Sequence, residues 1–278
     1  MNLSLEKEFS LIAMPRCVDI YAHCPFRDYL EPNEYFPEGV KPHLQWNKKG
    51  LLVSTGTERS FFDLLFSDET QCEGLVVCDI NPRVKAYVDF NVLLLRISKT
   101  REEYLKLSTV PEDDQTLNER IKIIGTKINE CPLSQKIHDY YLNNFKKFAS
   151  IYLYADQFWR GKKSEYFTEC RYDQYDDAFL KLQKYAQSGN IIAAIGDIND
   201  LTFLKRRHIT ILDTSNILAY SLLDLHGPQD FHPRIIWTNL TLYTTTYRSY
   251  IHEDLSTEEK KELNTFINEM RGKPLTEK

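Results

Sequence analysis

The residues best placed for chemistry lie between positions 51 and 79. An apolar run ends in Ser54-Thr55-Gly56-Thr57-Glu58, and a second ends in Asp79, 23 residues beyond the glycine. A glycine turn after one buried strand and a carboxylate closing the next have the spacing of a nucleoside-binding α/β unit. At such a turn the backbone passes close to the ligand, and the carboxylate accepts from both ribose hydroxyls. The phosphate-binding version needs three glycines where this chain has one, and Glu58 stands where a pyrophosphate would want a helix N-terminus. A dinucleotide or nucleoside triphosphate is therefore disfavoured, whereas a nucleoside carrying a cationic, zwitterionic group suits the acidic turn.

Two further strand ends carry carboxylates: Asp197 in Ala194-Ile195-Gly196-Asp197-Ile198, and Asp213 in Asp213-Thr214-Ser215-Asn216. Open α/β sheets bind ligands along the carboxyl edge, so polar residues at four successive strand ends count for more together than singly. Each has a plainer reading as a helix cap: Asp79 before Asn81-Pro82, Asp197 in competition with Asp200, and Asp213 ahead of Thr214 and Ser215. Asn216, Tyr243, Tyr247 and Arg248 are further candidates, Arg248 being able to grip an acceptor carboxylate or phosphate, although a Tyr/Thr-rich edge strand explains the same residues. Cys17, His23 and Cys24 lack the second close pair that a zinc site requires, so no metal is expected. The serine-hydrolase elbow, the phosphate loop and the His-Glu-x-x-His motif are absent from the sequence.

These residues need a sheet to hold them. Apolar runs at 51–54, 75–79, 191–197 and 209–213 read as strands buried on both faces, the pattern of a parallel sheet. Helices are expected at 60–66, 84–97 and 217–225, and an antiparallel pair at 234–238 and 240–246 closes the edge. Between the second and third strands, residues 98–188 read as a helical insertion, with helices at 117–128, 134–152 and 175–186. Its aromatics, from Tyr140 to Trp159, form either ordinary packing against the sheet or a substrate wall. At the C-terminus Ser256 and Glu259 form a capping box, Leu263, Phe266, Ile267 and Met270 share a face, and Gly272 and Pro274 end the helix.

Composition narrows the function classes. With 278 residues, 42% hydrophobic and 27% charged, the chain is long enough for a substantial core. A net charge of −5 with no long basic block disfavours nonspecific nucleic-acid binding. The apolar runs fall short of the ~20 residues of a membrane span. Six scattered cysteines and a start too polar for a signal-peptide core point to a reduced, cytoplasmic chain. The glutamate-rich tail loosely resembles the translocation signals of some bacterial type IV effectors, and a solvated helix face explains it as well.

The turn at 53–58 and the run Val77-Cys78-Asp79-Ile80-Asn81-Pro82 resemble the first and second motifs of the class I S-adenosylmethionine-dependent methyltransferases. The resemblance, spanning roughly residues 50–250, implies a Rossmann-like, mostly parallel sheet with helices on both faces and S-adenosylmethionine as co-substrate. It implies that Ser54, Thr55, Gly56, Thr57 and Glu58 hold the methionine moiety and that Asp79, with Ile80 and Asn81, holds the ribose. Asp197 and Ile198 would then meet the adenine, while Asp213 and Asn216 border the reacting methyl group, with Tyr247 of the edge strand a further catalytic candidate. The organisation expected is an extension at 1–49, the donor-binding domain at 50–255 and a C-terminal helix and tail at 256–278. A narrower resemblance, through Asn81-Pro82-Arg83, Phe158-Trp159-Arg160 and Thr214-Ser215-Asn216-Ile217-Leu218, is to the transferases that move a 3-amino-3-carboxypropyl group from the same donor in betaine-lipid synthesis. Methyl transfer to a small-molecule, lipid or macromolecular acceptor is the leading expectation and aminocarboxypropyl transfer the alternative. A non-catalytic module that binds a protein partner through the aromatic insertion is the rival from another class.

Overall fold

A computed structural model describes residues 4–9, 37–56, 58–79, 82–108, 114–130, 176–198, 200–204, 207–214, 233–240 and 245–251. The chain divides into two compact units, one of residues 33–80 and 196–278, the other of residues 1–32 and 81–195.

The first unit is built on strands β1 (Gly50–Ser54), β2 (Cys72–Asp79), β4 (Ile209–Asp213), β5 (Arg234–Leu240) and β6 (Thr245–Ile251). Within it the strands hydrogen-bond in the order β2-β1-β4-β5-β6. The pairs β1/β2, β1/β4 and β4/β5 are parallel and β5/β6 is antiparallel. This is the mostly parallel, Rossmann-like α/β arrangement that the sequence predicts. Leu51, Leu52, Val53, Leu75, Val76, Val77, Ile211 and Leu212 have no exposed surface, which is why these runs are apolar throughout instead of alternating. The chain leaves β1 for β2 on one side and returns as β4 on the other, so a topological switch point falls between β1 and β4, where α/β sheets open a crevice at their carboxyl ends. Gly50 permits that pairing: a Cβ there would lie 2.3 Å from Thr210 Oγ1 and 2.7 Å from the carbonyl of His208.

Several boundaries differ from expectation: the strand expected at 191–197 ends at Ile195, which leaves Asp197 in the following loop, and β5 runs on past residue 238. The second strand of the antiparallel pair is Thr245–Ile251, not 240–246, and Leu240 belongs to β5. The stretch is rich in Thr and Tyr throughout and holds no Gly or Pro to mark a boundary, so residue pattern alone misplaces the strand.

The second unit holds helices α1 (Leu5–Phe9), α3 (Pro82–Ile97), α4 (Arg101–Ser108), α5 (Asp114–Glu130) and α6 (Asp176–Gln187), and strand β3 (Ile191–Ile195). Every regular element described between β2 and β3 is helical, as expected of the insertion. Proline opens α3 because the first turn needs no N–H there. The carbonyls at its other end are taken by Gln183 Nε2 on Leu95 and Ser98, at 3.0 and 2.6 Å, and by Lys127 Nζ on Ile97 at 3.1 Å. Helix α6 ends in a Schellman turn: Gly189, at φ +71°, donates to Ala186 O, and Asn190 N donates to Tyr185 O. Helix α4 was not foreseen, although Thr100 and Glu103 carry its capping signal; Thr100 Oγ1 accepts from Glu103 N and Glu103 Oε2 from Lys99 N. Helix α1 was also unforeseen. It docks through buried Leu5 and Phe9 and through Glu6, whose two oxygens accept from Arg96 at 2.9 Å each. No described helix is long and apolar enough to cross a membrane.

The expected helices at 134–152 and 217–225, the aromatic stretch from Tyr140 to Trp159 and the capped C-terminal helix lie outside the described residues, as do Cys17, His23 and Cys24.

Candidate functional site

At the carboxyl end of β1 the chain turns through Thr55 and Gly56 into helix α2 (Glu58–Phe66). Gly56 has φ +83°, a backbone region that side chains with a Cβ rarely adopt, which explains the single glycine of the turn. A Cβ built on it would meet no atom within 4 Å, so the backbone here borders open space. Its N–H donates to Asp79 Oδ2 at 3.2 Å, bringing together the turn and the carboxylate that the sequence singles out. An ionised carboxylate accepts up to about four hydrogen bonds, so this bond places Asp79 without saturating it. The carbonyl of Asp79 accepts from Gly196 N at 3.0 Å, which fixes the loop carrying Asp197 against the end of β2.

The loop settles which of its two aspartates is the cap. Asp200 Oδ1 accepts from Thr202 N at 3.1 Å and from Thr202 Oγ1 at 2.6 Å, starting the short 3-10 turn Thr202–Leu204. Asp197 is exposed and Ile198 buried beside it. Cys78 lies beneath these groups, and its thiol is pushed up to about 12 by burial, with the charges of Asp79, Asp197 and Asp200 adding to the effect. It is a buried, protonated packing residue.

Asp213 takes a different place. It has no exposed surface, and Arg59 of α2, itself 5% exposed, donates to it from Nη2 at 2.8 and 2.6 Å and from Nε at 3.1 Å. The sequence put Asp213 beside the reacting group; its carboxylate is instead occupied inside the protein by a guanidinium one helical turn from Asp63. That residue is 1% exposed, and its Oδ2 accepts from Ser54 Oγ at 2.8 Å. Ser60 Oγ lies 3.1 Å from Ser54 Oγ and 3.2 Å from the carbonyls of Thr55 and Gly56. Ser54 and Thr55, expected to meet the donor, are thus buried supports of the turn, and Gly56 is its open point. Burial, followed by the neighbouring charge of Asp213, holds the Asp63 carboxyl well above the ordinary aspartate range.

Arg59, Ser60 and Asp63 were not singled out in the sequence. Their signal is a nine-residue helix, ERSFFDLLF, apolar on most of its circumference yet carrying Arg and Asp at i and i+4. Charges on a helix so apolar must be paired inside. A second unforeseen group is His43, at the end of the 3-10 turn Pro37–His43, whose Nδ1 lies 2.9 Å from Ser249 Oγ. Burial and then Arg234 hold it below the ordinary histidine value, with Asp213 opposing.

The side chains of Glu58, Tyr247 and Arg248 are outside the description, although the backbone of Tyr247 pairs with Thr238 and that of Arg248 with Trp237. Thr57, Ile80, Asn81, Asn216 and Tyr243 are outside it altogether. Among the described residues no group of three or more His, Cys, Asp or Glu side chains could hold a metal ion. Comparison with known proteins finds no matching family model and no matching curated protein.

Proposed function

We propose that the carboxyl edge of β1 and β2 binds S-adenosylmethionine and that the chain transfers the donor's methyl group to an acceptor. The observation that carries this reading is the bond from Gly56 N–H to Asp79 Oδ2, beside a glycine turn that borders open space. In this reading the turn passes along the methionine moiety, Asp79 accepts from the ribose hydroxyls and exposed Asp197 accepts from the adenine amine. Asp79, Asp197 and Asp200, whose charges add to the effect of burial on Cys78, favour a sulfonium over a phosphate. Methyl transfer asks little else of the protein: the donor carries its own leaving group, and in-line placement supplies most of the acceleration. Asp213, enclosed by Arg59, supports the site from beneath.

The test is thermal unfolding with S-adenosylmethionine, S-adenosylhomocysteine, methylthioadenosine or NAD. A ligand at a hundredfold excess over its Kd adds about 2.7 kcal/mol, a rise of about 5–10 °C for a chain of this size. The expected result is a rise with the sulfonium donor and its homocysteine product that Asp79→Ala abolishes; a shift with NAD alone, or an unchanged shift in the variant, overturns the assignment. Product analysis separates the two transferase chemistries, since methyl transfer leaves S-adenosylhomocysteine and aminocarboxypropyl transfer leaves methylthioadenosine. Silence with all four ligands favours a non-catalytic binding module.

A further inference from the structure

Arg234 opens β5 as a half-buried side chain, and no described residue pairs with its guanidinium by hydrogen bond or ion pair. A cation that has given up part of its water needs an anion in return. The strand-end carboxylate of the neighbouring β4, Asp213, is gripped by Arg59 instead. The strand register shows what shares a sheet face with Arg234. Ile236 pairs with Asp213 of β4 and with Ser249 of β6, and Arg234 stands two residues before Ile236, so Arg234, Asp213 and Ser249 belong to one face. Diagonal neighbours on adjacent strands lie about 7–8 Å apart, close enough for an arginine and a serine to meet one small ligand. Ser249 is also half-buried, and its Oγ lies 2.9 Å from His43 Nδ1. In the tautomer with its proton on Nδ1, the ring donates to Ser249 Oγ and leaves the hydroxyl proton to be given elsewhere.

We propose that Arg234 and Ser249 form a binding site for a phosphate group, with His43 as the residue that positions the serine hydroxyl. The guanidinium fork donates to two oxygens at once, and Ser249 supplies a further donor from the adjacent strand. A phosphate keeps more oxygens for that donor, whereas the fork already occupies both oxygens of a carboxylate. The site uses none of the groups assigned to the donor and does not depend on that assignment. Bound phosphate also acts on His43. The elements around that ring carry Lys41 of its own turn, Arg59 and Asp63 of α2, Asp213 of β4, Arg234 of β5 and Arg248 of β6. After the larger effect of burial, Arg234 lowers the titration of His43 and Asp213 raises it. A phosphate on Arg234 cancels the first of these charges and adds an attraction, so the ring takes up a proton more readily.

The test is NMR titration of the full-length chain with inorganic phosphate. The side-chain Nε–H of Arg234 and the amide of Ser249 should shift saturably, and the His43 ring should titrate at higher pH with phosphate than without it. Acetate at the same ionic strength should produce neither change. Arg234→Gln should weaken phosphate binding roughly tenfold or more, and Ser249→Ala about fivefold. His43→Ala should match Ser249→Ala, whereas His43→Asn, whose amide N–H stands where Nδ1 stands, should restore binding, a rescue that a packing role would not give. No shift at Arg234, or unchanged affinity in Arg234→Gln, overturns the site. An equal response to acetate overturns phosphate as its ligand, and failure of His43→Asn to restore what His43→Ala loses overturns the positioning role. If Arg234→Gln fails to fold, the wild-type map decides: shifts centred away from β5, β6 and the Pro37–His43 turn overturn the proposal. A chain that binds phosphate here but no S-adenosylmethionine refutes the donor reading alone, and the reverse result refutes this site alone.

Discussion

Asp79 and Asp213 close two strands that flank β1, and the protein uses them in opposite ways. Asp79 is half-buried and holds the N–H of a glycine that borders open space; Asp213 is wholly enclosed and grips Arg59. Both are aspartates ending apolar parallel strands, so neither residue type nor position along its strand separates them. The neighbour separates them. Strand β1 pairs Ser54 with Val77 on one side and with Asp213 on the other, and the face carrying Ser54 and Asp213 is the one that α2 covers with a cation and a second carboxyl. At Asp213 a helix supplies the strand-end carboxylate with a buried cation, whereas at Asp79 the carboxylate accepts from the N–H of the turn itself.

The sharpest way to break this contrast is Arg59→Met, which takes from buried Asp213 the guanidinium that grips it. Removing one partner of a buried pair costs about 3–5 kcal/mol. At about 2–4 °C per kcal/mol this is a fall in Tm of about 6–20 °C. A fall no larger than that of an exposed-charge variant would show that Asp213 is solvated like Asp197. Next in size is Gly56→Ala, in which a Cβ forced into the left-handed region costs about 1–2 kcal/mol by urea denaturation. Because the space beyond is open, the fold should survive while donor binding is lost; retained binding would move the ligand off the turn.

A pH series sharpens the same comparison. The folded pKa of His43 lies below its unfolded value, so the unfolded chain binds the extra proton first. Its contribution to stability is complete above about pH 6.5 and lost as the pH falls through the folded value. His43→Gln should flatten this acid-side loss in urea midpoints, and an unchanged slope would assign it elsewhere. Asp63 works in the other direction: its folded pKa is raised, so stability falls as the pH climbs from about 4 towards the folded value. The smallest effect on stability is expected for Asp197→Ala. It should fall within about 0.5 kcal/mol of wild type, since the residue is exposed and Asp200 supplies the cap. Donor affinity should nonetheless weaken by up to about tenfold for one lost hydrogen bond.

The sheet was largely legible because strands buried on both faces must be apolar without interruption: β4 is found at the residues expected, and β1 and β2 differ only at their first residues. Helices α3, α5 and α6 follow from periodicity and from Pro82, within three residues at either end. The misplaced edge strand and the missed α1 share one cause. The sequence between β5 and β6 carries no Gly or Pro, and the five residues of α1 are held by partners near positions 96 and 189, so local pattern has little to say about either. The pairing of Gly56 with Asp79 was legible because a positive φ demands glycine at the turn and the spacing brings the end of β2 beside it. It was not legible at Asp213, because the sequence around the strand end contains no sign of an arginine 154 residues away.

That separation also governs how the protein comes into being. Arg59 leaves the ribosome with β1 and α2, and Asp213 follows only after 154 further residues, which at about 5–20 residues per second is an interval of about 8–30 s. Until then the carboxylate at helical pairing distance from Arg59 is Asp63, at i+4, a pairing that stabilises a nascent helix by a few tenths of a kcal/mol. The arrival of β4 supplies Asp213, the distant partner that Arg59 grips in the folded protein. Stalled chains ending before residue 209 should therefore remain open to proteolysis around α2, and chains extending well past residue 240 should resist it. Biogenesis of the turn, on this timetable, is a late event that waits for the second half of the chain.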